Sequence, residues 1–182
     1  MASPQTLSVA DRRVVAAWAA ECAERVLGLF ESEAPGDRRP RESIARTRAF
    51  ARGEHDVATE IRRRFEGGGA AREVSRPAAV AAARAAGQAA AVAHMGAHAL
   101  GAAAYAAKAA GLAAPDQPDA ISAEIRWQLA ALTPEIRDAL RQLPLVGESR
   151  AGPLGPGLLA SGVLGRIIGE IQAALAAADG PA

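Results

Sequence analysis

The chain has 182 residues, the length of one domain, and a compact fold of that size removes roughly 70% of its unfolded surface from water. Half of the residues are apolar but only 3% are aromatic, so the core must be built from alanine, leucine, valine and isoleucine, with Trp18 and Trp127 as the large rings to follow. The formal charge of +1 divides unevenly, with fifteen arginines against twelve carboxylates up to Arg84 and six basic residues against eight acidic ones beyond it; neither half has the balance of a dedicated nucleic-acid binder, and the lone Cys22 excludes an intrachain disulfide.

The first predicted helix covers about 8–33. Ser8 followed three residues later by Asp11 is a variant of the capping box, and Val14, Trp18, Cys22, Val26 and Leu29 or Phe30 then recur at helical spacing. Ala34-Pro35-Gly36-Asp37 ends it as a turn. A second helix starts at Asp37, with Pro40 tolerated in its first turn and Gly53 as its C-terminal cap. It carries the densest basic patch of the chain, Arg38, Arg39, Arg41, Arg46, Arg48 and Arg52 around Glu42. A third helix, about 55–66, ends in Arg62-Arg63-Arg64 and is stopped by Gly67-Gly68-Gly69.

Pro77, with Ser75 nearby as a cap, opens a helical pattern that runs to about Leu112 as one kinked helix or as a hairpin, with Gly96 or Gly101 as the place of a break. Within it, Ala85 to Ala107 are twenty-three residues without a charge, mostly alanine and glycine. Small side chains bury little apolar area, so this segment is stable only where another backbone approaches closely and its own polar groups are paired within the helix. It is long enough to span a bilayer, but alanine and glycine are near neutral for insertion, and Gln88, His94 and His98 would sit unpaired in lipid. A membrane is therefore not a partner. The start of the chain lacks the pattern of a signal peptide, and a reduced bacterial cytoplasm is the expected compartment.

Asp119 caps a helix of about 119–132, and Thr133-Pro134 opens another of about 134–143. Pro144 to Gly157 holds three prolines and four glycines. The last helix, 158–179, places Leu159, Val163, Ile167, Ile168, Ile171 and Leu175 on one side and Gly162, Gly165 and Gly169 on the other, and it needs docking because each glycine costs about 1 kcal/mol against alanine. The expected class is all-α, a single-domain bundle of about seven helices around the Ala/Gly-rich segment. The expected division is a flexible N-terminus over 1–7, a helical domain over 8–143, a linker over 144–157 and a docked C-terminal helix over 158–179.

Chemistry-bearing residues are few. His94 and His98 are four apart, which on a helix puts both imidazoles on one face and makes a zinc half-site; Met95 follows His94, so there is no HExxH pattern, and a third ligand would have to come from Cys22, Glu24 or His55. The bland reading, two histidines hydrogen-bonded within a helix seam, is the preferred one, and no cofactor is expected. The arginines of the second helix could grip phosphates, with Phe50 as the lone interleaved aromatic; pairing with acids of the first helix is the simpler reading, and an acidic partner protein is a third.

Three stretches, LSVADRRVVAAWAAECAERVLGLFE, PGDRRPRESIARTRAFARGE and AAARAAGQAAAVAHMGAHALGAAAYAAKA, together resemble the helical immunity proteins of the immunity-protein-five-like type found in bacterial polymorphic toxin systems, over roughly residues 7–112. GPLGPGLL near the C-terminus adds little, Phe50 stands in place of an expected tryptophan, and the RRR and GGG triplets depart from the family pattern. The resemblance implies a protein that binds and neutralises a cognate toxin and performs no reaction. Arg38, Arg39, Arg41, Arg48 and Trp127 are the candidate partner surface. The alternatives are a small metal-binding protein or enzyme centred on His94 and His98, and a nucleic-acid accessory protein using Arg38 to Arg52. A homo-oligomer formed through the small-residue or C-terminal helices stays open.

Overall fold

A computed structural model describes residues 3–63 and 66–177. Met1, Ala2, Arg64 and the predicted helix end at Asp179 lie outside the described residues. Among the described residues there is no strand, and the helices are α1 (Val9–Glu31), α2 (Arg39–Ala51), α3 (Val57–Arg63), the single turn α4 (Glu66–Gly69), α5 (Pro77–Ala91), α6 (His98–Ala113), α7 (Ala120–Ala130), α8 (Pro134–Arg141) and α9 (Gly162–Ala177). The fold is an all-α, single-domain bundle. Apart from the α4 turn, it has one helix more than the pattern suggests, because the 77–112 run divides into the hairpin α5–α6.

Local chemistry sets most of the boundaries. The Asp11 N–H donates to Ser8 Oγ at 3.0 Å and the Ser8 hydroxyl donates to Asp11 Oδ2 at 2.7 Å, which starts α1. Gly53, at φ +80°, ends α2: its N–H donates to the Phe50 carbonyl and that of Glu54 to the Ala49 carbonyl, the two crossed bonds of a Schellman cap. Thr133 Oγ1 accepts from the Ile136 N–H ahead of Pro134 and α8. Two predicted caps work differently. Asp119 stands at the start of α7 without a side-chain capping bond. Ser75 does not cap α5; its N–H and hydroxyl instead donate to Glu33 Oε1 at 2.7 and 2.9 Å.

Glu33 thereby ties the end of α1 to the start of α5, since its other oxygen accepts from the Arg76 N–H at 3.2 Å and the Arg76 Nε–H at 3.0 Å. The Ser75 N–H is the main cause that lowers this carboxyl to about 2 from an ordinary 4.5. A depressed carboxylate stabilises the fold above its unfolded value and loses that contribution as the pH falls toward its folded one. The wild-type Tm is therefore expected to drop more steeply than that of Glu33→Gln between about pH 5 and about pH 2. Parallel Tm curves for the two proteins would contradict this role.

α1 is the central element, packed against α2, α5, α6 and α8, while α5 and α6 make the most extensive pair. Covered on several sides, α1 buries more than the predicted stripe: Ala16, Ala19, Ala20 and Ala23 are enclosed along with Trp18, Cys22 and Val26, whereas Val14 and Leu29 are only partly covered. The alanines of α5 and α6 do what the uncharged segment requires. Ala82, Ala86 and Ala89 of α5 and Ala99, Ala103 and Ala106 of α6 are all buried, so the helices meet nearly backbone to backbone.

The hairpin turn, residues 92–97, takes its support from the N-terminus of the chain. The Gly96 and Ala97 N–H groups donate to the Thr6 and Gln5 carbonyls at 3.0 Å each, and the Arg12 guanidinium donates to the carbonyls of Ala93 and His94. Gly96 is required by this crossing, since a Cβ there would come within 2.5 Å of the Leu7 side chain. Gly101, the other predicted break point, lies inside α6; its missing Cβ leaves room for the Gln88 amide, whose Oε1 a Cβ there would overlap.

The Pro144 to Gly157 segment is pinned from two sides. Gln5 donates to the Ala151 carbonyl and accepts from the Leu154 N–H, and Gln172 of α9 accepts from the Val146 N–H and donates to the Pro144 carbonyl. α9 buries Leu164, Ile167, Ile168, Ile171 and Leu175 and packs on α6, α7 and α8.

Candidate functional site

The arginines of α2 and its two ends are paired with carboxylates, most of them at the exposed surface. Arg41 forks onto Glu31 of α1 at 2.6 and 2.7 Å, Arg48 pairs with Glu24 of α1, Arg39 with Asp37 at 2.5 Å, Arg38 with Glu42 at 3.7 Å and Arg52 with Glu54 at 2.6 Å. The hydrogen bonds from Arg48, Arg39 and Arg52 hold the Glu24, Asp37 and Glu54 carboxyls below their ordinary range. Arg46 turns inward and lies between Glu60 at 3.7 Å and Glu66 at 3.1 Å. Exposed pairs of this kind contribute little to stability, but they cancel the local field that a phosphate backbone would need. The predicted pairing with acids of the first helix is what the structure has at Arg41 and Arg48.

Trp127 stands on the other flank of α1. The Arg25 guanidinium carbon lies 3.9 Å from its ring centroid, and the same group forks onto Glu124 at 2.9 and 3.0 Å. Glu124 is 6% exposed, so the half-buried Trp127 ring shields an ion pair from water. Below it, Gln128 donates to the Ala103 carbonyl at 3.1 Å, and its own carbonyl accepts from Trp18 Nε1 at 2.9 Å. Cys22 is fully buried nearby, and burial first, then Glu124, raises its thiol well above the ordinary value. The Arg25–Glu124 pair joins residues 99 apart in sequence and escaped the sequence reading, which weighed each helix separately.

The two histidines are not on one helix. His94 is exposed in the hairpin turn, and His98 is the first residue of α6, because the N–H groups that would carry a helix through residues 96 and 97 are taken by Thr6 and Gln5. Among the described residues no three of His, Cys, Asp and Glu converge as metal ligands.

His98 instead has its Nδ1 2.8 Å from Gln88 Oε1, the carbonyl oxygen accepting the imidazole N–H. The pair lines a cavity of about 330 Å³ between α5, α6 and the α4 turn, together with Tyr105, Arg84, Arg72 and the glycines Gly68, Gly69 and Gly87. Three polar residues of the uncharged segment, Gln88, His98 and Tyr105, thus share one site, and His94 is outside it. The arginines were missed, although Arg84 is one helical turn before Gln88 and two turns separate His98 from Tyr105.

The sequence pattern described as "Imm-5 like putative immunity protein" matches residues 5–135, from the segment that buttresses the hairpin turn to the start of α8. No curated protein and no solved structure matches the chain. No helix among the described residues is long and apolar enough to cross a membrane. With most of the chain, and all of the α1–α7 core, inside that match, the protein belongs to the Imm-5 like immunity protein family.

Proposed function

We propose that this protein is a non-enzymatic immunity protein of the bacterial cytoplasm that binds a cognate toxin domain and neutralises it by covering its active site with a preformed helical surface. The family match over residues 5–135 carries this reading. The surface assigned to the toxin is the outer face of α1 with its flanks: Arg38, Arg39, Arg41 and Arg48 on α2, and Trp127 on α7. Glu21, Glu24 and Gly28 form the exposed stripe of α1 between them.

The chemistry of this face narrows the partner. A strongly acidic surface would imitate a nucleic-acid backbone; here positive and negative charges alternate in fixed pairs, so the complementary toxin surface alternates as well. The pairs also hold long side chains in place before contact, which reduces the ordering cost of association. Trp127, backed by Arg25, is the aromatic anchor of the face.

Co-expression with candidate toxin domains, taken from the variable C-terminal domain of any large secreted protein found encoded beside its gene, is the test. Rescue of growth and a co-purifying complex are expected, and Trp127→Ala should weaken the complex by about tenfold or more, as loss of an aromatic anchor does. Failure of the wild-type protein to bind or protect would remove the proposal; unchanged affinity in Trp127→Ala would remove the assigned face.

A further inference from the structure

The cavity between α4, α5 and α6 draws nothing from the face assigned to a toxin, and its lining has a different chemistry. Arg84 and Gln88 stand one turn apart on α5, and His98 and Tyr105 two turns apart on α6, so two helix faces bring a guanidinium, an amide, an imidazole and a phenol to one space. Arg72, just after α4, adds a second guanidinium. Among the described residues no carboxylate lines the cavity.

That composition differs from the α2 face. The α2 arginines each meet an acid, whereas among the described residues neither Arg72 nor Arg84 makes an ion pair. Burial is the main cause that raises the Tyr105 phenol above its ordinary value, so it is a protonated donor at neutral pH. Glycines line part of the space. A Cβ on Gly69 would meet nothing within 4 Å, one on Gly68 would touch the Gly87 Cα at 3.6 Å, and Gly101 lets Gln88 lie back against α6 beside His98.

We propose that this cavity is a binding site for a small phosphate monoester, with the phosphate held by Arg72 and Arg84 and the esterified group seated against Tyr105, Gln88 and His98. Two guanidinium charges without a compensating acid match a dianion; a single carboxylate would leave one charge uncompensated. A volume of about 330 Å³ is at the small end of ligand sites and exceeds the need of inorganic phosphate, so the ligand carries a further group of about the size of a sugar.

Isothermal titration of the full chain with ribose 5-phosphate, ribose and inorganic phosphate tests this. Ribose 5-phosphate is expected to bind, with ribose at least about tenfold weaker and inorganic phosphate weaker than the ester, since each lacks one half of the contacts. Arg84→Gln and Arg72→Gln should each reduce affinity for the ester by about tenfold or more, while Arg166→Gln on the exposed side of α9 leaves it unchanged. Circular dichroism verifies the fold of each variant; should Arg84→Gln fail to fold, Arg72→Gln, altered outside the long helices, decides. Amide shifts in the ester complex should concentrate on Gly68, Gly69 and the Gln88 side chain. Absence of binding, equal binding of ribose, equal binding of inorganic phosphate, or an equal loss in Arg166→Gln would overturn the proposal. Toxin binding is read in a separate assay on a separate face, so either result stands without the other.

Discussion

Trp18→Ala is expected to remove about 3–5 kcal/mol of folding stability, the cost of deleting a fully buried large aromatic side chain. Two effects add. The ring is the largest side chain in an alanine-rich core, and small neighbours have little reach with which to fill the vacated space. Its Nε1–H also donates to the Gln128 carbonyl at 2.9 Å, and truncation leaves that buried carbonyl without this donor. Against a total stability of about 5–15 kcal/mol, the loss brings the protein close to unfolding at moderate temperature. Trp18→Phe separates the effects, keeping much of the volume and costing about 1–3 kcal/mol for the unpaired carbonyl and residual space. Urea denaturation measures both, and a loss below about 1 kcal/mol in Trp18→Ala would show that the core does not depend on this ring.

The second large effect comes from adding atoms. Ala103→Leu is expected to cost about 3 kcal/mol, the upper part of the ordinary range for overpacking, because Ala103 is fully enclosed and its carbonyl is bonded to Gln128. Leucine is nearly as good a helix former as alanine, so a loss reports on interhelical distance and not on helix propensity. Ala130→Leu, at an exposed position near the end of α7, is the control and should be nearly neutral. If Ala103→Leu were equally neutral, α6 would not lie in close contact with its neighbours.

Most helix boundaries could be read from the chain because their determinants lie within one turn of the boundary. Ser8 with Asp11, Thr133 with Pro134, and Gly53 after α2 each satisfy backbone groups of their own helix. Ser75 misled for the same reason. It has the chemistry of a cap, but Glu33, more than forty residues earlier in the chain, competes for it and takes both its donors. The arginines of α2 could be assigned carboxylate partners in kind, though not one by one. As to the candidate site, Gln88, His98 and Tyr105 stood out as the polar residues of an apolar segment, but nothing local showed that Arg72 and Arg84 would join them.

By itself the sequence determined an all-α protein with a core of small side chains, since hydrophobic period, capping and helix propensity act over three or four residues. Where the uncharged segment bends was decided by tertiary structure. The sequence offered Gly96 and Gly101 as two places for a break, and the chain turns at residues 92–97, around Gly96, because Thr6, Gln5 and Arg12 supply partners for the backbone groups that a turn exposes. That bend in turn sets His98 opposite Gln88 and closes the cavity, an arrangement written in no single helix because it exists only once two of them meet.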